Sequence, residues 1–202
     1  MLLLGGKTRM AVKNLFIKPQ HGVALRVVNS IAVTETGIGG NVSCAPFRQV
    51  LISSEAVTAE CGLLPGDLRE NIVVDFDGLY DLPSGAVVEI GDVSIRLTFH
   101  CEPCKTILQL VEFERIVHRR GVFGTCLNSG TISLGDPFRV TDRQYEAIPY
   151  AIGERIRWYL QRHGVMAAAV NLVHELGLPA SSAKAMPQIL RKLVLSGSGQ
   201  RA

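Results

Sequence analysis

The hydropathy pattern changes period once, near Asp142, and this change most constrains what the chain can fold into. From Leu15 to Val140, short apolar runs separated by turn residues alternate in the manner of strands with one buried face. Val93, Ile95, Leu97 and Phe99 alternate with Ser94, Arg96, Thr98 and His100, which sets one apolar row on a single strand. Ala86–Ile90 precedes that run, and Gly91–Asp92 between them reads as a hairpin turn. Ala24–Val28, Ser30–Val33 with the turn at 35–40, and Gly130–Pro137 follow the same grammar, so a barrel or sandwich is expected. Two helices are expected to interrupt it. One is Ser53–Cys61, with Ser53 or Ser54 as N-cap and Gly62 as terminator, and the other lies around Ile107–His118.

Beyond Asp142, Ile148, Ile152, Ile156 and Tyr159/Leu160 recur at helical spacing. Gly164 breaks this helix, Met166–Leu176 resumes it and Gly177–Leu178–Pro179 stops it. Ser181–Leu195 is expected as a third helix, broken or restarted at Pro187, with Ser196–Ala202 as a frayed end. The reading is a mainly β fold: a barrel domain over 15–142 and a C-terminal helical extension over 146–195. With 202 residues, 47% of them hydrophobic and 19% charged, the chain can bury a core of that kind.

Charge and composition narrow the partners. The 21 Lys/Arg and 18 Asp/Glu are spread along the chain, and the net +3 lacks the clustered basic face that duplex binding needs. The tail's short helices resemble a helix-turn-helix reader only in outline, because Lys184 and His174 are the only basic side chains between Met166 and Pro187. No nucleic acid is expected. An apolar bundle packed on the barrel, or on a second copy in a homodimer, accounts better for the tail. Met1–Leu4 is apolar but ends at Gly5–Gly6–Lys7, short of the ~7–15 residues of a signal-peptide core. No run approaches the ~18–20 apolar residues of a membrane span, so a cytoplasmic, membrane-free protein is expected. Its five cysteines, Cys44, Cys61, Cys101, Cys104 and Cys126, are then reduced thiols.

Chemistry concentrates in His100–Cys101–Glu102–Pro103–Cys104–Lys105, where a strand ends and the chain turns. A cysteine beside Lys105, and near Arg69 if the strands pair, has a lowered pKa and serves as soft-metal ligand or sulfur nucleophile. The residues alone leave other readings open. His100, Cys101 and Cys104 supply three zinc ligands, with only isolated Cys126 and His118 to complete the set. C-x-P-C resembles a thioredoxin-type dithiol without its βαβ setting, and two cysteines packed as small hydrophobes is the plain alternative. His21, His118 and His163 read as surface or core histidines, and Arg48–Gln49 as strand and hairpin structure.

Five segments together bear a family resemblance: Phe16–Ile17–Lys18–Pro19, Arg48–Ser53, Leu68–Val74, Glu102–Pro103–Cys104 and Gly130–Pro137. In order and spacing they resemble MOSC domains, the family named for the C-terminal domain of molybdenum cofactor sulfurases, over about residues 15–142. Stand-alone relatives with a helical C-terminal extension are similar to the tail. The resemblance implies a β-barrel-like fold in which Cys104, not Cys101, is the molybdenum ligand or a persulfide carrier. It also implies that Arg69 and Asn71, matching an R-x-N segment, hold the pterin of a molybdenum cofactor (molybdopterin), with Pro103 beside it. Lys18 matches a basic position near the cofactor in larger relatives, which carry an N-terminal subdomain that this sequence lacks. An Arg fork and an Asn amide suit a ligand with a phosphate and a hydrogen-bonding ring edge. The implied activity is reduction of an N-hydroxylated small-molecule substrate at Cys104 as catalytic and metal residue. Its electrons come from a separate electron-donor protein, since no flavin, haem or iron–sulfur motif is visible. The alternative is a sulfur carrier whose Cys104 persulfide is delivered by a separate pyridoxal-phosphate cysteine desulfurase.

Overall fold

The computed structural model describes residues 10–42, 45–163, 172–178 and 182–197. In chain order its strands are β1 (Val12–Ile17), β2 (Arg26–Val28), β3 (Ser30–Thr34), β4 (Gly37–Ile38), β5 (Val50–Ser54), β6 (Ile72–Val74), β7 (Ala86–Ile90), β8 (Val93–His100), β9 (Val122–Cys126), β10 (Gly130–Ser133) and β11 (Phe138–Gln144). Eight of them form one curled sheet in the order β11-β7-β8-β9-β5-β6-β1-β2, and β10-β3-β4 form a second. The pairs are antiparallel except β5 with β6. The sheet curls until β1 meets the entry to β11: Val12 N–H donates to the Asp136 carbonyl (3.0 Å) and Phe138 N–H to that of Met10 (2.9 Å). Mainly β, barrel-like architecture is therefore what the alternating half of the sequence produces.

The alternation in β8 decides its sides. Val93, Ile95 and Leu97 enter the main core with Val50, Ile52 and Ile72, while Phe99 joins Leu51, Cys101 and Phe123 in a separate cluster. A register shift between Leu97 and His100 in the β8/β9 ladder accompanies this change. Gly91, at φ 58°, makes the β7–β8 hairpin that the sequence suggests, a conformation that favours glycine.

Three local expectations are corrected. Helix α1 (Glu55–Glu60) has Ser54 as N-cap and Gly62 at φ 68° beyond its end, but the Ser54 hydroxyl makes no cap bond. The helix expected around Ile107–His118 is a 3-10 turn, Ile107–Gln109, and a single helical turn, α2 (Phe113–Ile116). Ile107, Val111 and Ile116 all pack against Val57 and Leu68. At about 100° per residue a continuous helix would point Ile116 opposite Ile107, so the chain breaks at Glu112 to bury both. The last helix runs Ser182–Gly197 straight through Pro187, which removes one ladder bond without ending the rest. Part of the expected helix Met166–Leu176, up to residue 171, lies outside the described residues, as do Cys44 and Gly164.

The helical extension packs on the barrel. Helix α3 (Ile152–His163) and Leu172–Leu178 share a core with Met186, against which Phe47 packs from the barrel side. Arg48 Nη1 donates to the Gly177 carbonyl (2.5 Å).

Candidate functional site

Strand β8 delivers the cysteine turn. Its pairing continues one residue past His100, where Cys101 N–H donates to the Gly121 carbonyl (2.8 Å). Pro103 has no N–H to extend a ladder, and the chain turns. The Cys104 carbonyl then accepts the N–H groups of Ile107 (2.9 Å) and Leu108 (3.0 Å), which ties the turn to the 3-10 segment.

The two cysteines of this turn have opposite environments. Cys101 is 1% exposed, and burial pushes its thiol up to about 11. Cys104 is exposed, whereas Cys61, Cys101 and Cys126 are buried. Partial burial pushes the Cys104 thiol up, but the Ile107 N–H, the charge of Arg120 and the Thr106 backbone and hydroxyl outweigh it, leaving the thiol below its ordinary value. The cation acting on Cys104 is thus Arg120, where the sequence suggested Lys105 and Arg69.

Around the turn stand groups that sequence reasoning missed. Arg120 Nη1 donates to the Glu102 carbonyl (2.6 Å), while its Nε is buried without a partner among the described residues. Glu70 is fully buried; its Oε1 accepts the Gly66 N–H (2.7 Å) and its Oε2 has no described partner. Burial raises its carboxyl, with Arg120 among the groups that lower it. The hydroxyls of Ser53 and Ser54 are likewise buried and unpartnered among the described residues. The Tyr80 hydroxyl accepts the Ser54 N–H (3.2 Å), and its ring stacks on His100. His100 Nδ1–H donates to the His118 carbonyl (2.6 Å), which puts the proton on Nδ1, since a carbonyl only accepts. Burial lowers the His100 pKa, against the His118 carbonyl bond that raises it. His118, at φ 60°, lies 4.7 Å from the Tyr150 ring.

Arg69, Asn71 and Lys18 lie at the β1/β6 side of the sheet. Asn71 Oδ1 accepts the Leu51 N–H (3.1 Å), and Nδ2 donates to the Phe16 carbonyl and to Asn41 Oδ1 (3.2 Å each). Asn41 Oδ1 also accepts the Lys18 N–H (2.7 Å), so this amide network ties β1 to β5 and β6. Arg69, at φ 65°, donates through Nη2 to the Val23 carbonyl (2.9 Å). Strands β5 and β9 separate β6 from β8, roughly 14 Å at the usual strand spacing. Of this segment, Glu70 lies within electrostatic reach of Arg120, which bonds the Glu102 carbonyl. His100, Cys101 and Cys104 do not converge as zinc ligands, and among the described residues no group of three or more His, Cys, Asp or Glu does.

One further cation was hidden in plain pattern. Arg155 falls at helical spacing between Ile152 and Tyr159, a charge on an apolar face, and its guanidinium bonds Glu102 Oε1 (3.4 Å).

Together these features define a class: a small, mainly β domain that displays one activated thiol on a turn at a strand end. Residues 40–139 match the MOSC domain family, and through this domain the chain belongs to it. Solved structures agree on the fold. The YuaD protein from Bacillus subtilis is 16% identical, with 68% of this chain and 97% of that one covered and a TM-score of 0.58. YiiM from Geobacillus stearothermophilus is 18% identical over 90% of this chain and 99% of that one, with a TM-score of 0.55, and the likeness extends beyond the barrel. YiiM from Escherichia coli is 16% identical, covering 93% and 94%, with a TM-score of 0.50. A comparison with curated proteins finds no match. No helix among the described residues is long and apolar enough to cross a membrane.

Proposed function

We propose that the Cys104 thiolate ligates the molybdenum of a molybdopterin cofactor, and that the protein reduces N-hydroxylated small molecules with electrons from a separate donor protein. The observation that carries this reading is the exposed, activated Cys104 thiol, placed in a domain whose family is associated with the molybdenum cofactor. A soft thiolate suits that metal. The buried groups near the turn fit the rest of the cofactor in kind. Arg120 Nε, the Ser53 and Ser54 hydroxyls and Glu70 Oε2 are donors and acceptors left without described partners, as a ligand with a ring edge and a phosphate requires. Arg69 retains Nε and Nη1 for the same role, whereas Asn71 would have to release backbone partners. Lys18 is tied through its N–H to the same Asn41 amide as Asn71, and Pro103 adjoins Cys104 in the chain.

When bound, the cofactor supplies the two-electron chemistry that takes the hydroxyl oxygen from the substrate. The chain's own contribution is to favour the Cys104 thiolate through Arg120 and the turn's N–H groups, and to keep Cys101 protonated and out of reach. Exposure of Cys104 equally suits a carrier of persulfide sulfur received from a pyridoxal-phosphate cysteine desulfurase.

Metal, pterin and labile-sulfur content of protein from a molybdate-supplied host tests the proposal. Bound molybdenum with pterin is expected, falling nearly to background in Cys104→Ser and largely retained in Cys101→Ser. Arg69→Ala is expected to lower retention by roughly tenfold to a hundredfold, the loss of one or two charge-assisted hydrogen bonds. Labile sulfur on Cys104 without metal would select the carrier reading, and undiminished molybdenum in Cys104→Ser would remove the thiolate from the site.

A further inference from the structure

Arg155 belongs to the helical extension, yet its guanidinium also reaches the cysteine turn. Its side chain is wholly buried, with Cζ 3.5 Å above the centroid of the Phe99 ring. Nε donates to the Pro149 carbonyl (2.9 Å), and Nη2 to the Tyr150 carbonyl (2.5 Å) and Glu102 Oε1 (3.4 Å). Glu102 is thus gripped twice, by its carboxylate from α3 and by its carbonyl from Arg120. Cys104 lies two residues on, with only Pro103 between, whose ring fixes its backbone φ. Burying a cation is costly, and a packed hydrophobe would serve α3 at least as well if cohesion were all that was needed. What a hydrophobe would not do is join the Pro149 and Tyr150 carbonyls to Glu102.

We propose that Arg155 is a positioning residue which, through Glu102, fixes the turn that presents Cys104. The helical extension is then part of the site. This rests on the reading of Cys104 as the reactive thiol. Because Cys104 is already exposed, loosening the turn gains it no access; it undoes the placement set by the Arg120 bond to the Glu102 carbonyl and by the Ile107 and Leu108 N–H bonds to the Cys104 carbonyl, so the thiol leaves this electropositive turn and reactivity falls.

The test is the rate of iodoacetamide labelling at neutral pH, followed at each cysteine of the full chain by mass spectrometry, with circular dichroism to confirm folding. In the unaltered protein Cys104 labels ahead of Cys61, Cys101 and Cys126; failure of that order removes the reactive-thiol reading itself. Arg155→Met keeps an unbranched apolar side chain over Phe99 but no charge, and Arg155→Lys keeps the charge. If Arg155 acts through Glu102, Met slows Cys104 labelling about tenfold while Lys stays within about threefold, since a lysine still reaches a carboxylate without the full guanidinium fork. Equal Cys104 rates in Met and Lys, or an unchanged rate in folded Arg155→Met, overturn the proposal and leave Arg155 as packing. Should Arg155→Met fail to fold, Glu102→Gln, whose side chain is only partly buried, carries the test. It is expected to slow Cys104 about threefold to fivefold by weakening one charge-assisted bond, and an unchanged rate there also overturns the proposal.

Discussion

Two residues separate Cys101 from Cys104, and the fates of the two cysteines differ because one ends a strand and the other opens a turn. Burial holds Cys101 protonated, whereas Cys104 meets solvent, an arginine and the N–H groups of the turn. Glu70 is the other residue whose setting has a measurable consequence. Burial raises its carboxyl, against the Gly66 N–H that lowers it, so the folded chain holds the proton more tightly than the unfolded one. Stability therefore falls as pH rises from the ordinary carboxylate range through the raised value, and the residue contributes no pH dependence below that range. Glu70→Gln is expected to melt higher than the unaltered protein at pH 8 and at the same temperature near pH 3, since glutamine accepts the Gly66 bond and needs no charge. Equal shifts at both pH values in thermal melts would contradict the assignment.

Among the elements, β8, β9 and the segment between them carry the site. Gly121 makes the contact possible: its φ is 150°, and a Cβ there would stand 2.8 Å from Leu51 Cδ1 and 3.0 Å from the Ile52 carbonyl. Its own carbonyl receives the Cys101 N–H. Gly121→Ala is expected to cost about 1–3 kcal/mol, the usual range for a strained backbone or an overfilled core, read as a lower denaturation midpoint with unchanged denaturant dependence. The break between the 3-10 turn and α2 was not legible in the sequence, because the run from Ile107 to His118 has helical composition. What breaks it is the need to bury Ile107 and Ile116 on one side, and that side exists only once Val57 and Leu68 are in place.

At the scale of the whole molecule, the extension covers the outer face that the barrel leaves apolar. Ile148 joins Leu51, Phe99, Cys101 and Phe123, with Tyr150 and Trp158 packed against them. A chain ending before Ile148 uncovers this cluster, and loss of the Ile148 side chain alone forfeits about 1.5–3 kcal/mol of burial. Such a truncation is expected to lower the melting temperature and to let Cys101 label with iodoacetamide in the folded protein. Continued protection of Cys101 in the shortened, folded chain would show that the barrel shields it unaided.

The sequence by itself determined the two kinds of structure and their boundary, because periods of 2 and 3.6 residues are local consequences of strand and helix geometry. It also determined that Cys104 follows a strand end, since the row from Val93 to Phe99 stops there and Pro103 prevents its continuation. Only the tertiary structure decided which charges meet that thiol. Nothing in the sequence singles out Arg120, Glu70 or Arg155 for this turn; the fold sets Arg120 on the Glu102 carbonyl, Arg155 on the Glu102 carboxylate and Glu70 within electrostatic reach of Arg120. Charge pairing acts over a few ångströms in space and carries no sequence period, so it becomes visible only when the fold sets the distances.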